Sequence, residues 1–461
     1  GFQTEGLTRF VSLDIRPSVN FDKTFAGKHK VNVGFYGEHV RELSKAFSAT
    51  GFGIDPRTPN TPAAITQGNA TNLLFSTVTG GKSQNALTSG LVLGSYNFSD
   101  RYSVSGSYRY DGSSKLPKSN RWTPFYSIGG IWTVSNEKFL KGSKVINELR
   151  LRATNGNSGN SNNFPGGDFG YLDTYGAGSY AGLPSLTVTN LGNPDLKWET
   201  IYQTNIGVDF ALLKNRIYGS VDIYEKTTKD LFVKKQLTAP GGYLAQIDVN
   251  AGKLSNKGIE FDLSLDVIKT KDFIWTLNGK AGYNKNKVVS LGGLGSYPLG
   301  TGLITEGLPL SSPYEVRWGG VDAATGQPLY YTKDGVLTTT YNAADKVQTY
   351  GTSEAPWKGG FSSTMRYKSF DMFVFFTWQH GAVKTDNLEY FTENPIGFLS
   401  GGFNQSASLH FWTKPGDLAS TPSPLYATNF SSKIIHDASF LRLKDVTIGY
   451  LRLSSLSPEN I

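Results

Sequence analysis

Charged and amide side chains recur at alternate positions in three stretches of the sequence, and mostly apolar residues fill the positions between them. The polar members are Arg150, Arg152, Asn205, Asp209, Glu260, Asp262 and Asp266. Guanidinium groups donate hydrogen bonds, carboxylates accept them, and amides do both. These side chains can therefore form hydrogen bonds and ion pairs. They can act together only if the elements that carry them bring them to a common surface.

Motifs for catalysis or metal binding are incomplete in this sequence. Residues 80–83 read GGKS, the end of a phosphate-binding loop, but Ser76 stands where the first glycine is required. The five histidines lack metal-ligand spacing, and no G-x-S-x-G elbow occurs. Residues 322–326 carry too few oxygen ligands for a calcium loop and read as a turn. We predict no catalytic residue, metal site or cofactor, although Ser, His and Asp could still meet from separate strands.

Period-two alternation is typical of a β-strand, whose successive side chains point to opposite faces. In 102–110, for example, Tyr102, Val104 and Tyr108 alternate with serines and Arg109. Thirteen long strands are predicted near residues 9–21, 29–40, 87–98, 101–110, 122–133, 146–154, 199–212, 216–229, 257–268, 273–284, 358–368, 371–381 and 438–451. The predicted fold class is all-β and antiparallel.

The connections between these predicted strands are alternately short and long. Residues 99–100 and 213–215 are tight turns, whereas 154–198 and 285–357 are long and rich in Gly, Pro, Asn and Ser. Within one long connection, the amide-rich run 155–163 reads as a flexible extracellular segment. Outer-membrane barrels have short turns on one rim and long loops on the other. The alternation of short and long connections therefore favours a transmembrane β-barrel over a soluble sandwich.

Composition is compatible with this prediction. Only 38% of residues are hydrophobic, yet 13% are aromatic and 53 are glycine, which favours strands and turns. The densest apolar run, 372–378, is too short for a membrane-spanning helix. The net charge of +8 is scattered without a basic run, so nucleic-acid binding is not predicted. The absence of cysteine suits an oxidising compartment.

Tryptophans fall at recurring depths once the long loops are assigned to the outside. Trp122, Trp198 and Trp357 then lie at the outer ends of strands, and Trp275 lies near the opposite rim. Aromatic girdles mark both membrane surfaces of outer-membrane barrels. We therefore predict that these four residues belong to aromatic girdles, with ordinary core packing as the alternative for each.

Five segments, in order along the chain, resemble the barrel of the SusC/RagA family of TonB-dependent outer-membrane transporters. They read YRYDGSS (108–114) with NRW (120–122), NPDLKWET (193–200), NAGKLSNKGIE (250–260), WTKPGD (412–417) and ASFLRLKDVTIGY (438–450). Each is modest alone, but together they are specific and cover nearly the whole chain.

The resemblance implies a barrel of about 22 strands with a plugged lumen. Residues 1–461 would then be part of the β-barrel domain, supplying about 13 strands, with the signal, the plug and the final strands outside these residues. The seven alternating polar residues would face the lumen. The resemblance also implies a SusD-like surface lipoprotein as partner, TonB energy coupling through the plug, and contact with outer-membrane lipid.

The expected function is active import of a bulky nutrient, an oligosaccharide or a peptide, at the cell outer membrane. Two other hypotheses are weighed against it. A surface glycan-binding protein or adhesin would not transport, and a barrel-embedded enzyme would turn over a substrate. The sequence does not identify the ligand.

Overall fold

The computed structural model describes residues 1–58, 61–160, 164–237, 246–394, 405–406 and 408–451. Within them it contains one α-helix, α1 (Asn387–Thr392). The strands are β1 (Phe2–Ile15), β2 (Ser18–Phe25), β3 (His29–Phe52), β4 (Thr77–Phe98), β5 (Tyr102–Ser113), β6 (Trp122–Thr133), β7 (Ile146–Asn160), β8 (Thr174–Tyr180), β9 (Leu183–Asn190), β10 (Glu199–Leu212), β11 (Ile217–Gln236), β12 (Gln246–Lys269), β13 (Phe273–Ser290), β14 (Tyr297–Leu299), β15 (Gly302–Ile304), β16 (Arg317–Val321), β17 (Pro328–Tyr331), β18 (Leu337–Thr338), β19 (Trp357–Tyr367), β20 (Phe370–His380), β21 (Val383–Thr385), β22 (Ile435–Asp437) and β23 (Phe440–Tyr450).

The long strands form one sheet of 14 strands in the order β1-β3-β4-β5-β6-β7-β10-β11-β12-β13-β19-β20-β23, with β2 also paired to β3. β1 and β2 run along the same edge of β3 and are separated only by Arg16 and Pro17. Proline has no N–H for the ladder, so a break there is expected. Counted as one position, β1 and β2 give the thirteen long strands predicted, and the all-β antiparallel prediction is confirmed.

Several strands are longer than predicted at their loop ends. β3 has 24 residues and β4 has 22, whereas about 10 suffice to cross a membrane. The extra residues lose the apolar alternation, so the sequence pattern did not reveal them. β7 likewise continues to Asn160, which corrects the prediction of a flexible segment for 155–160. Residues 161–163 of that run lie outside the described part of the chain.

The chain divides into two compact units. Unit 1 comprises residues 1–130, 154–202 and 229–251, and unit 2 comprises residues 131–153, 203–228 and 252–461.

In unit 1 the register of β2 to β5 sorts side chains onto two faces. Phe35 of β3 is paired with Val19 and Val92, and Val92 with Tyr108. Residues directly opposite in a ladder share a face, and this one, the unit-1 apolar face, exposes large hydrophobic side chains. They include Val19, Phe21, Phe35, Val92, Tyr96, Val104 and Tyr108. Apolar side chains this exposed are what a lipid-facing surface presents.

A small hydrophobic core lies in unit 1. Trp198 is 2% exposed and packs edge-on against Phe125 and Phe164, with ring centroids 5.6 and 5.3 Å away. Leu116 and Leu196 complete the core and are fully buried. This corrects the predicted girdle position of Trp198: the connections before β6 and before β10 pack on it, so its indole does not face lipid.

Unit 2 shows the same separation of faces. Asp262 and Ser264 of β12 are paired with Lys280 and Asn278 of β13, while Leu265 is paired with Leu277. The face that carries the leucines, the unit-2 apolar face, exposes hydrophobic side chains across five strands. They include Phe261, Leu263, Leu277, Phe361, Met372, Val446 and Ile448.

Connections of unit 2 fold into structure of their own. The small sheet β16-β17-β18 buries Tyr330, which is 1% exposed and lies edge-on against Trp318 and Tyr341. Burial raises the pKa of the Tyr330 phenol, whose hydroxyl oxygen accepts a hydrogen bond from the Asn429 N–H at 3.1 Å. These connections are packed substructures rather than open loops.

Candidate functional site

Arg152 is the centre of the polar face of unit 2. Its guanidinium donates to both carboxylate oxygens of Asp209 at 2.8 and 2.9 Å and to Asp222 at 3.1 Å. The amide of Asn205 donates to the other oxygen of Asp222 at 3.1 Å. A two-pronged contact between guanidinium and carboxylate fixes both groups in one geometry. Strands β7, β10 and β11 thus converge on a single network.

Arg150 lies beside this network but is held more loosely. Its Nε lies 2.5 Å from Glu148 and 3.7 Å from Asp209, and 44% of the side chain is exposed. An exposed guanidinium next to paired carboxylates is available to a ligand carboxylate or hydroxyl. Among the predicted lumen residues, Arg150 therefore combines charge with accessibility.

The acidic residues of β12 complete the polar face. Asp262 pairs with Lys280 at 2.7 Å and accepts from Asn278 at 3.3 Å. Asp266 accepts from Lys269 at 2.6 Å and from Thr276 at 2.9 Å. Glu260 lies along the same strand face, next to Asp262. Alternation along β12 thus places all three carboxylates on one surface, as the sequence predicts.

Two shallow cavities open on this surface. One of about 350 Å³ is lined by Glu148, Arg150, Asp209, Asp262 and Asn278, among others. The other, of about 360 Å³, is lined by Asp222, Glu260, Asp262, Lys280 and Lys358, among others. Charges of both signs alternate with hydroxyl and amide groups, which suits polar ligands such as sugars or peptide backbones.

Sequence reasoning missed a second polar cluster, in unit 1. Arg109 donates to Glu38 at 2.6 Å, to Asp111 at 2.5 Å and to the Ser89 hydroxyl at 2.8 Å. Arg16 extends the cluster through an ion pair with Glu38 at 3.0 Å. Alternation in β5 gave the face of Arg109 and of its partner Asp111, but Glu38 and Ser89 come from β3 and β4, and no local pattern connects them to Arg109.

The Arg109 cluster borders a cavity of about 530 Å³ in unit 1. Phe125, Tyr126 and Trp198 line it together with Arg109, Asp111 and Asn157. A cavity with aromatic walls and a charged rim can bind a ligand that is partly apolar.

The other three predicted girdle tryptophans are partly exposed or lie on an apolar face. Trp122 is 44% exposed and stacks on Tyr110 at 5.3 Å. Trp357 is 39% exposed and contacts Tyr283 at 4.8 Å. Trp275 shares its face with Leu277, and its indole N–H donates to Ser363 at 3.0 Å. Their membrane-surface role stays a prediction.

One Ser, one His and one Asp do meet in unit 2, but not in the order of a catalytic triad. The Ser439 hydroxyl donates to Asp437 at 2.6 Å and lies 3.3 Å from Nδ1 of His380. In a triad the imidazole stands between the hydroxyl and the carboxylate. Here the hydroxyl is in the middle, so it is not activated by the imidazole.

Among the described residues, no group of three or more His, Asp or Glu side chains is arranged to hold a metal ion. The helices there include none with the length and hydropathy to span a lipid bilayer.

The known proteins that this chain resembles agree with one another in the kind of protein they represent. The chain is 30% identical over 383 residues to TonB-dependent receptor P3 of Formosa agariphila, covering 77% of this chain and 37% of that protein. It is 30% identical over 381 residues to TonB-dependent receptor SusC of Bacteroides thetaiotaomicron, with coverage of 77% and 37%. The structure of the RagAB peptide transporter superposes with a TM-score of 0.87 at 26% identity, over 100% of this chain and 51% of that one.

The chain thus spans between 37% and 51% of the length of these relatives. Residues 2–457 match the family model described as TonB dependent receptor-like, beta-barrel. A match over nearly the whole chain, together with the antiparallel sheet, identifies the family: the chain belongs to the TonB dependent receptor-like β-barrel proteins of the outer membrane.

Proposed function

We propose that residues 1–461 form part of the β-barrel domain of an active importer for a bulky nutrient, an oligosaccharide or a peptide. The observation that carries the proposal is the superposition of the whole chain on the RagAB peptide transporter. The relatives SusC and P3 support it, since both are TonB-dependent receptors. The plug and the remaining strands would come from the rest of the protein.

In this proposal the polar face of unit 2 lines the lumen. Arg150, Arg152, Asn205, Asp209, Glu260, Asp262 and Asp266 would be wall residues that meet the plug or the passing ligand. Paired charges suit this position, because they offer hydrogen bonds without the strong field of a single sign, which would trap a ligand. The cluster around Arg109 would serve the same purpose in unit 1.

The partners proposed are a SusD-like surface lipoprotein over the extracellular mouth and a TonB complex acting through the plug. The likeness to SusC and RagAB supports both. Outer-membrane lipid would surround the apolar faces, whose exposed hydrophobic side chains need it.

Uptake in a strain with the intact gene deleted tests the proposal. Receptor complex is first purified from outer membranes, and its bound ligand and lipoprotein are identified by mass spectrometry. The deletion should abolish energised uptake of that ligand, and the restored gene should recover it. Unchanged uptake of every ligand that the complex binds would overturn the import function.

The alternative of a non-transporting adhesin is not favoured by these relatives. It predicts that the deletion lowers surface binding of the ligand and leaves its uptake intact, so the same strain separates the two functions.

A further inference from the structure

Four cations stand on the unit-1 apolar face, toward the loop ends of the strands. Arg9, Lys45 and Lys82 lie directly opposite one another across β1, β3 and β4. Arg41 lies on the same face of β3, two rows of the ladder closer to the turn that joins β2 and β3. All four side chains are exposed. We call Arg9, Arg41, Lys45 and Lys82 the basic row.

No carboxylate neutralises the basic row within the described residues. None of the four side chains makes an ion pair or a side-chain hydrogen bond there. Glu42, between Arg41 and Lys45 in β3, points to the other face, and Glu5 is bound by the amide of Gln3 at 2.8 Å. Like charges directly opposite in a ladder are destabilising. Such a row is stabilised when an anion binds across it.

The aromatic residues of the same face give the height of the row. Each ladder step of two residues rises about 5 Å when strands tilt by about 40°. Counted from His29, the first residue of β3 after the turn, an apolar band of about 25 Å therefore ends at His39. Tyr110 pairs with Gly90 and Gly90 with Gly37, so the Tyr110–Trp122 stack lies near the upper end of this band. Two independent markers therefore agree on the outer membrane surface.

Measured from that surface, Arg41 lies about 5 Å above it and the other three cations about 15 Å above it. Long basic side chains reach several ångströms toward a headgroup. The row thus spans the headgroup region and the layer just beyond it. A simple phospholipid would meet only Arg41, whereas a glycolipid with charged sugars would meet all four.

Leu7 and Phe47 support the choice of a glycolipid. They are paired one row above Lys45 and are 71% and 54% exposed. The basic row can bind the anionic groups of a sugar, and the apolar pair Leu7 and Phe47 above it can pack against the apolar carbon face of the same sugar. We propose that the basic row binds the phosphate-bearing headgroup of a glycolipid in the outer leaflet of the outer membrane.

Binding of a lipopolysaccharide with phosphates on both its lipid A and its core sugars to the intact receptor in detergent, followed by native mass spectrometry, tests the site. The variant Lys45→Gln/Lys82→Gln should bind this probe at least about tenfold more weakly, since two charge-assisted contacts are lost. The variant Lys45→Arg/Lys82→Arg keeps both charges and should bind as the wild type does. Lys118→Gln/Lys333→Gln removes two exposed loop lysines and serves as the charge-matched control.

Two further measurements distinguish a lipid-borne phosphate from a free anion. The same lipopolysaccharide without its phosphates should bind wild type and variant equally weakly. Millimolar inorganic phosphate should not displace the phosphorylated lipopolysaccharide, and full displacement would instead mean a site for free anions.

Equal affinity of the wild type and Lys45→Gln/Lys82→Gln for the phosphorylated lipopolysaccharide would overturn the proposal. If that variant instead lost a protein from the purified complex, the row would be a protein interface. Neither result depends on uptake, so these experiments test glycolipid binding independently of the import function.

Discussion

Arg152 satisfies two carboxylates at once, which makes it the most constrained of the predicted polar residues. Asp209 and Asp222 come from different strands, and both rely on the same guanidinium. Its side chain is 28% exposed, compared with 44% for Arg150. Exposure governs what a charge contributes, because solvent screens an accessible pair and not a buried one. These neighbours of one strand should therefore behave differently.

Arg152→Met should lower the free energy of unfolding of the intact receptor by about 1.5–3 kcal/mol, the range for hydrogen bonds to charged groups. Asp222 would then lose its guanidinium partner, and Asp209 would keep only the 3.7 Å contact with Arg150. Urea unfolding in detergent, followed by circular dichroism, measures the loss. Arg150→Met is the matched control and should cost less than about 1 kcal/mol. Equal losses would show that the Arg152 network is screened like a surface pair.

Asp417 gives a pH dependence in the WTKPGD segment. Its carboxylate accepts from the N–H and the hydroxyl of Thr413, both at 3.1 Å, and the backbone hydrogen bond is the main cause that lowers its pKa. The lowered pKa means that the ionised form stabilises the turn. This contribution is complete above the ordinary carboxyl pKa of about 3.9 and disappears as the pH falls through the lower folded value.

Hydrogen exchange of the peptide 412–417 checks this dependence. Between pH 5 and the acid range, after correction for intrinsic exchange rates, protection should fall in the wild type. Asp417→Asn keeps an acceptor without a charge, so its protection should be lower at pH 5 and vary little with pH. A wild-type peptide whose protection does not change with acid would contradict the assignment.

At the scale of elements, Asn250 of β12 joins this strand to β11 and to the connection before β10 in unit 1. Its amide donates to the carbonyls of Lys197 and Asp230 at 2.9 and 2.8 Å and accepts from the Lys197 N–H at 3.0 Å. Asn193 adds a hydrogen bond to the Asp248 carbonyl at 2.9 Å. Two of the family-like segments, NPDLKWET and NAGKLSNKGIE, are therefore in direct contact. Their motif residues have a structural purpose here, since they satisfy backbone groups of the connection.

Asn250→Ala should lower the free energy of unfolding by about 1–3 kcal/mol, because three backbone groups lose their partner. Asn250→Asp keeps the acceptor for the Lys197 N–H but loses both donors. Its cost should equal or exceed that of alanine, because a carboxylate would face two carbonyls. Urea unfolding of both variants makes the comparison, and an Asp variant as stable as wild type would refute the bridging role.

Substitutions of Trp198 and Trp122 distinguish a tryptophan in a packed core from a tryptophan at the membrane surface. Trp198→Ala should cost about 3–5 kcal/mol, as for a large residue removed from a packed core. Trp122→Ala should cost only about 0.5–1.5 kcal/mol, the contribution of its aromatic pair with Tyr110. Thermal or urea unfolding followed by circular dichroism compares them. A loss at Trp198 no larger than the loss at Trp122 would contradict the core assignment of Trp198.

At the scale of the whole molecule, the two faces of the sheet meet different surroundings. Exposed hydrophobic side chains fill one face in both units, and ion pairs fill the other in unit 2. The family places these strands in the outer membrane. Charge should therefore be tolerated on one face and not on the other.

Ile206→Arg, on the apolar side of β10, should destabilise the inserted receptor by about 2–4 kcal/mol, the cost of arginine near the middle of the bilayer. Ile206 is 60% exposed. Gln203→Arg, on the opposite side of the same strand, should change the stability by less than about 1 kcal/mol. Unfolding in phospholipid vesicles measures both. Equal costs would contradict the assignment of the faces.

Much of this fold follows from the sequence. The transmembrane barrel class and the outer-membrane location are confirmed by the family match, and the thirteen strands are confirmed by the sheet order. Strand ends were less predictable, because the regular apolar alternation ceases toward the loop ends of the strands. Trp198 was mispredicted because spacing gives depth along a strand but not what packs on it. The cluster around Arg109 was missed because Glu38 and Ser89 lie in other strands.

By itself the sequence determined the strands, the two faces and the side on which each polar residue lies, since alternation is a local property of the backbone. Only the tertiary structure decided which charges meet. The pairing of Arg152 with Asp209 and Asp222 joins residues 57 and 70 positions apart. Such contacts depend on ladder register, and register results from the whole sheet and its turns rather than from any one segment. The same register aligned Arg9, Lys45 and Lys82 into one row.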